Sequence, residues 1–421
     1  MDNILMASEI DFYIDTMKPT NLDEIGTKPF LDWHQRLQKI NQQAVIEASS
    51  LKEEYVKEVL VSMQKVNVLV HEAVLISVWK TKILPLLLCL NPQPENTFLA
   101  YTILFHEAVS VALIELTMFH PSTPESLGDI AADLLSYAYD SVAQLLVIDH
   151  NDDLPHEKAE TELRRQQDDL AFGIGIRCLS ILRYIAEHSD RLTYGIIDRL
   201  LNVHDVPVLL IEVLLHHPWH QNGLLYKNNQ WIKWDGEGLP QCEAQIWLAL
   251  HQVLLNPNCG PHYAITDSRK SQLMKLLPII SPVLLDQLSP LIDLKYWLCQ
   301  LSVSSQPAAP PKPILLETIL EIKNKILAQG ERKWKKIAKQ QLPIVFCTDQ
   351  KTLMEIAQGL TEAYNLDLIE KLDDDKARTC EKCGNSAIQR CSKCKSVWYC
   401  GKQCQVDDWS KHKVHCIEAT T

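Results

Sequence analysis

Seven of the thirteen cysteines of this chain lie between residues 379 and 416, in the run TCEKCGNSAIQRCSKCKSVWYCGKQCQVDDWSKHKVHC. They fall in pairs: Cys380 with Cys383, Cys391 with Cys394, Cys400 with Cys404, and Cys416 with His412. A Cys-x2-Cys pair lets two thiolates from one tight turn bind the same Zn²⁺ at about 2.3 Å. An x3 spacing suits a helical turn, which puts residues i and i+4 on one face. Four pairs supply eight ligands, enough for two closed tetrahedral sites. A closed site has no open position for water or substrate, so the chemistry is structural rather than catalytic. The competing reading is a set of unrelated buried or disulfide-bonded cysteines. The regular spacing opposes it, and so does a chain with no mark of secretion.

The order Cys-x2-Cys, Cys-x2-Cys, Tyr-Cys-x3-Cys-Gln, Trp-x2-His-Lys-x2-Cys resembles the MYND zinc finger. Tyr399, Gln405, Trp409 and Lys413 also stand where that family has them. The resemblance implies two interleaved zinc sites. One would take Cys380, Cys383, Cys400 and Cys404, the other Cys391, Cys394, His412 and Cys416; spacing alone does not decide this pairing. His415 is a rival ligand that fits the i, i+4 geometry less well than His412. The family also implies a Pro-containing peptide laid as an added strand beside Gln405 and Trp409. Ser396, Val397 and Trp398 would then offer the strand edge. Alternatively, Trp409 packs beside His412 and shields the zinc.

The finger is locally basic, with Lys382, Arg390, Lys393, Lys395, Lys402, Lys411 and Lys413. Zinc arithmetic gives these cations work without nucleic acid. A four-thiolate site carries 2 − 4 = −2, and a three-thiolate site with neutral imidazole carries 2 − 3 = −1, which nearby lysines offset.

The elements that must carry this finger are helical. The chain has 421 residues, 46% hydrophobic and 22% charged, as expected of a folded, water-soluble protein. A net charge of −12 argues against a general nucleic-acid or anionic-membrane binder. The acidic N-terminus lacks the basic region of a signal peptide, and the apolar runs read as too short for a membrane span. Cys89, Cys178, Cys242, Cys259, Cys299 and Cys347 are scattered and read as reduced thiols of a cytosolic protein.

From residue 29 the apolar spacing predicts helices over 31–48, 52–63, 66–80 and 97–119, with Pro85 breaking the run between the last two. Ser122 or Thr123, followed by Pro124, reads as a helix start. The polar stretch 149–167 reads as a solvated loop entering an exposed helical turn. Asp205 is placed to cap a helix beginning at Pro207. The turn before it resembles the one preceding the third helix of an armadillo repeat, with a fainter copy at 65–72. A β-hairpin is expected within 223–238, where Leu225-Tyr226 and Trp231-Ile232 flank Lys-Asn-Asn-Gln. Helices are expected again over 241–255, 268–288 and 291–301. Residues 302–313 read as a Pro-rich linker, 314–372 as further helices, and 379–416 as the finger. The fold class is therefore all-α: an armadillo-like array over 1–301 and a small C-terminal finger with two zinc ions. The stretch 307–316 has the prolines and aliphatics of a finger ligand, so it is either a self-ligand or a spacer opening the next helix.

His71-Glu72 and His106-Glu107 begin like a zinc-protease helix, but Leu75 and Ser110 occupy the positions of the second histidine. Asn256 to His262 faintly resembles a SET-domain methyltransferase core, yet it lies among helices. No nucleotide loop or nucleophile elbow occurs, and no enzyme is expected.

The whole layout resembles a family of cytoplasmic factors for preassembly of axonemal dynein arms, which end in a MYND finger. The segments WLALHQVLL at 247–255 and KWKKIAKQQLPIVF at 333–346 carry that likeness. It implies a non-enzymatic, co-chaperone-like scaffold in the cytoplasm of ciliated cells, near the centrosome or cilium base. Implied partners are other assembly factors, chaperones and axonemal dynein subunits, with no nucleic acid and no membrane span. Other classes are a nuclear corepressor adaptor and a lysine methyltransferase.

Overall fold

Apolar residues recur at helical spacing along most of the chain, and the structure, a computed structural model, folds accordingly. It describes residues 4–49, 54–148, 159–227, 230–234, 238–304 and 318–363, and then 380–383, 385, 389–391, 397–413 and 416. The chain divides into two compact units, Met1–Ala357 and Gln358–Thr421.

The first unit is an armadillo-like, all-α array. Its N-terminal half contains α1 (Ala7–Asp15), α2 (Lys28–Ser49), α3 (Tyr55–Ser62), α4 (Val66–Lys82), α5 (Leu84–Leu90), α6 (Phe98–Met118), α7 (Ser122–Leu127) and α8 (Ala131–Gln144). Then come α9 (Ala159–Glu187), α10 (Tyr194–Asp198), α11 (Val206–His216), α12 (Gln241–Leu255), α13 (Asp267–Met274), α14 (Pro282–Gln287) and α15 (Leu291–Val303). Two more, α16 (Glu321–Gly330) and α17 (Trp334–Val345), precede α18 (Gln350–Ala363).

The layering follows from which helices are apolar all round. α4 and α6 bury residues on nearly every side, pack on each other, and form the centre of the N-terminal half. α9 packs against α6, α8 and α12 and ties the two halves together. The approach of α8 to α9 is close. A Cβ on Gly175 would lie 2.7 Å from Leu145 Cδ2, so only glycine fits there.

The apolar runs 66–90 and 98–118 are long and hydropathic enough to cross a membrane, contrary to the sequence expectation. Both nonetheless bury ionisable side chains that are hydrogen-bonded to other helices. Gln38 Nε2 lies 2.9 Å from His34 Nε2, His34 Nδ1 lies 3.0 Å from His106 Nδ1, and His106 Nε2 lies 3.1 Å from Glu72 Oε2. An amide nitrogen can only donate, so the chain runs Gln38 to His34 to His106 to the Glu72 carboxylate. The Thr20 main-chain N–H also donates to Glu72 at 2.8 Å, and His71 donates to the Thr20 carbonyl at 2.9 Å. Glu107 accepts from Lys80 at 2.9 Å and from Tyr137 at 2.8 Å. The two His-Glu dipeptides are therefore buried joints between helices, and both carboxylates and both His106 nitrogens are hydrogen-bonded, as burial demands.

Several local expectations are corrected. Pro85 lies in the first turn of α5, where its missing N–H costs nothing, so it starts a helix rather than breaking one. The 268–288 segment is two helices, because Pro278 and Pro282 interrupt it; Thr266 and Ser281 cap α13 and α14. Asp205 does occupy the N-cap position of α11, but in a left-handed conformation without a capping bond. Its carboxylate instead accepts from Tyr263 at 2.8 Å and Arg269 at 2.7 Å. Ser122 and Thr123 fall inside α7, and Pro121 precedes it. From residue 159 the polar stretch is already α9.

The strands are β1 (His220–Gln221), β2 (Leu224–Lys227) and β3 (Gln230–Lys233), an antiparallel sheet in which Leu225 pairs with Ile232 and Tyr226 with Trp231. The hairpin expected at 223–238 thus gains a third strand, while its turn residues 228–229 fall outside the described residues.

α16 and α17 fold back on the N-terminal half. The buried Asp133 of α8 accepts from the main-chain N–H groups of Ile322 at 3.2 Å and Lys323 at 3.0 Å, capping α16. Gln341 of α17 accepts from the Trp79 indole at 2.9 Å and donates to the Leu22 carbonyl at 2.9 Å. The 307–316 stretch lies outside the described residues.

Candidate metal centre

The second unit contains the cysteine-rich segment. Its described core is only Cys380, Cys391, Tyr399 and Cys416, with Val397, Trp398, Cys400 and Cys404 packed around them. So small a core cannot offset the chain entropy of folding by itself. Metal must supply the remainder.

Short elements bring the ligands together. Residues 381–383 form a turn, so Cys380 and Cys383 face one point. The main-chain N–H of Cys380 donates to Asn385 at 2.7 Å, and that of Glu381 to Trp398 at 3.0 Å. β4 (Gln389–Arg390) pairs antiparallel with β5 (Trp398–Tyr399), and Cys391 N–H donates to the Val397 carbonyl at 2.9 Å. A helix, α19 (Lys402–His412), follows directly after Cys400. Cys404 sits in its first turn and His412 ends it, so the one helix serves both ligand sets.

The donor atoms of Cys380, Cys383, Cys400 and Cys404 all lie within 4.8 Å of one another, and so do those of Cys391, His412 and Cys416. Measured Sγ separations are 3.5 Å for Cys383–Cys400, 3.4 Å for Cys400–Cys404, 3.9 Å for Cys404–Cys383 and 3.8 Å for Cys391–Cys416. A tetrahedron with Zn–S bonds of about 2.3 Å has an S···S edge of about 3.8 Å. A disulfide would need about 2.05 Å. The sulfurs are therefore spaced for a shared tetrahedral cation, and the finger fits two structural zinc ions. Cys394 and His415 lie outside the described residues.

The thiol electrostatics agree. Burial works against ionising Cys380, but main-chain N–H groups of Cys400, Cys383 and Lys382 outweigh it and bring the thiol down to about 6. Cys404 is pushed up to about 12, first by its hydrogen bond with Cys400 and then by burial. One thiolate suppresses its neighbours. A divalent cation reverses that order and lets all four ionise.

Tyr399 and Asp408 hold the two halves of the finger together. Tyr399 is fully buried and donates to Asp408 Oδ2 at 2.9 Å, joining β5 to α19. Burial first, then the bond to Asp408, raises the phenol pKa, so it stays a donor. Asp408 is buried, and the spacing of the ligands gave no signal for it.

The residues expected to meet a peptide are described only in part. Gln405 and Trp409 lie one turn apart on α19, and Trp409 is 43% exposed. Its ring tilts at 59° to His412 with centroids 5.8 Å apart, so one part shields the ligand while the rest meets solvent. Exposed Val406 extends that surface, a contribution the sequence motif did not single out. At the expected strand edge, the Val397 carbonyl accepts from Cys391 and the Trp398 carbonyl from Glu381. Ser396 lies outside the described residues.

A family model for the MYND finger matches residues 380–416. Zinc finger MYND domain-containing protein 10 homolog of Drosophila melanogaster is 34% identical across 99% of this chain and 100% of its own length. Human Tudor domain-containing protein 1 is 44% identical, over 10% of this chain and 4% of that protein. Ubiquitin carboxyl-terminal hydrolase 19 of Arabidopsis thaliana is 50% identical, over 9% of this chain and 6% of its own. No solved structure matches. The short matches are finger-sized and join proteins of unlike kinds, so the finger is a transferable interaction module that does not specify one activity. The full-length match covers the helical array as well as the finger, and by it the chain belongs to the zinc finger MYND domain-containing protein 10 family.

Proposed function

We propose that this protein is a non-enzymatic, co-chaperone-like scaffold that helps preassemble axonemal dynein arms in the cytoplasm of ciliated cells. The observation that carries the reading is the family membership along the whole chain, array included. The four-cysteine set is closed, which supports a structural role for the zinc, and Cys394 is proposed as the fourth ligand that closes the set of Cys391, His412 and Cys416. The finger captures a Pro-containing segment of a partner on the Gln405, Val406 and Trp409 face of α19, through side chains more than through an added strand. Partners are other assembly factors, chaperones and dynein subunits. Affinity capture from multiciliated cells, with intact protein against a form lacking 379–421, tests this. Dynein subunits and assembly factors should be recovered with the intact protein and depleted with the truncated one. Their absence from both captures contradicts the assignment.

A further inference from the structure

The outer face of α17 is strongly basic in a chain whose net charge is −12. Arg332 and Lys333 lead into the helix, and Lys335, Lys336 and Lys339 lie along it; all five are exposed. Among the described residues, none of these five side chains has a hydrogen-bond or ion-pair partner.

The helix cannot rotate to hide them. Ile337, Ala338, Gln341 and Val345 are buried on the opposite face, and Gln341 is bonded to both Trp79 and Leu22. The turn before the helix is also fixed, because the Trp334 ring fills the space a Cβ on Gly330 would need, 2.2 Å away. Nor do the cations help the helix itself. Lys333 is its N-cap, Lys335 and Lys336 lie in its first turn, and no acidic residue stands there. Positive charge at the positive end of the helix dipole opposes folding. Five side chains are thus held outward and unneutralised, and Lys333, Lys335 and Lys336 stand where local stability would favour the opposite sign.

We propose that this face of α17 docks an acidic polypeptide segment of a partner, a run of Asp and Glu side chains. Charge complementarity over about two helical turns is the basis. A nucleic acid fits less well, because an extended polyanion also meets the field of an acidic chain. A bilayer fits less well, because the exposed positions Lys335, Lys336, Lys339, Gln340 and Pro343 carry no aromatic or long aliphatic side chain to insert. A short acidic segment meets only the local cations, within about one Debye length of 8 Å at physiological salt. This surface belongs to the first unit and Trp409 to the second.

The test uses the full-length protein and a fluorescein-labelled peptide of six Glu-Asp repeats, followed by anisotropy, with a Gln-Asn peptide as control. The acidic peptide should bind, the control should not, and raising salt from 50 to 300 mM should weaken binding several-fold. K335Q/K336Q/K339Q should lose at least tenfold in affinity, K335R/K336R/K339R should keep it, and K275Q, at an exposed lysine just after α13, should match the parent. The Arg triple separates loss of charge from loss of fold. Equal binding by the Gln triple, or no binding by the parent at millimolar peptide, overturns the proposal. Tighter binding of a twelve-nucleotide RNA or of phosphatidylserine vesicles to the same face also overturns it.

Discussion

Tyr399 donates to Asp408 Oδ2 at 2.9 Å, and both residues are buried. The bond links β5 to α19, and through them the turn beside Cys400 to the helix that carries Cys404 and His412. Zinc therefore acts on a frame that one tyrosine–aspartate pair keeps in register. Tyr399→Phe leaves the Asp408 carboxylate short of a donor and is expected to destabilise the finger by about 1–3 kcal/mol. The finger should keep both metal ions at low temperature and release them to a chelator faster than the parent. An unchanged release rate would show that the pair does not hold the frame.

Replacing Cys391 or Cys404 by Ser removes one ligand from its donor set. Folding and metal binding are one process in so small a unit, so residues 379–416 should unfold while the helical array keeps its far-ultraviolet signal. Zinc content by atomic emission and amide dispersion in NMR report the two halves of this expectation. Two retained equivalents of zinc with a dispersed finger spectrum would show the ligand set is wrong.

Why the finger was legible and much of the array was not is a matter of sequence distance. Cys380 and Cys383 are set by one short turn, and Cys400 and Cys416 lie just outside the two ends of α19, which carries Cys404 and His412, so short sequence distance encodes this geometry although neither Cys-x3 pair shares one helical turn. Gln341 reaches Trp79 across 262 positions and Leu22 across 319, and Asp133 caps α16 across 189. A glutamine in a lysine-rich helix and an aspartate in an apolar one carry no mark of such partners. The same holds for His34, His106 and Glu72, whose spacing fits an ordinary helix face until three helices meet. Pro85 misled for a related reason, since proline ends a helix interior but suits a first turn, and only the helix start distinguishes them.

Gln341→Ala breaks two of these long-range bonds and strands the buried Trp79 indole N–H and the Leu22 carbonyl. The array should lose about 2–4 kcal/mol, by the cost of unmet buried hydrogen bonds. Urea unfolding followed at 222 nm measures it. A midpoint equal to that of the parent would mean α17 is not anchored through this side chain.

The buried histidine chain gives the array an acid sensitivity. Burial first, then His106, holds the His34 pKa well below its ordinary value of about 6.5. Below that pH the unfolded chain takes a proton that the folded one refuses, so stability falls as pH falls. Glu72 adds to this lower down. Burial alone would raise its pKa, but hydrogen bonds from His106 and Thr20 lower it, so its contribution is present above about 4.3 and lost as pH falls through its folded value. His34→Gln should flatten the loss between pH 6.5 and 5 by up to about 1.4 kcal/mol per pH unit, which is one proton. Parallel profiles for variant and parent would remove His34 as the cause.

The claim at the centre of this account is that zinc builds the finger and that an exposed face of α19 then binds partners. Trp409→Ala in the full-length protein separates the two, because the Trp409 ring touches His412 yet is 43% exposed. The measurement is paired: zinc by atomic emission, and recovery of dynein subunits and assembly factors by affinity capture from multiciliated cells. The account predicts two retained zinc ions with partner recovery reduced at least tenfold. Loss of zinc together with recovery, or unchanged recovery, would contradict it.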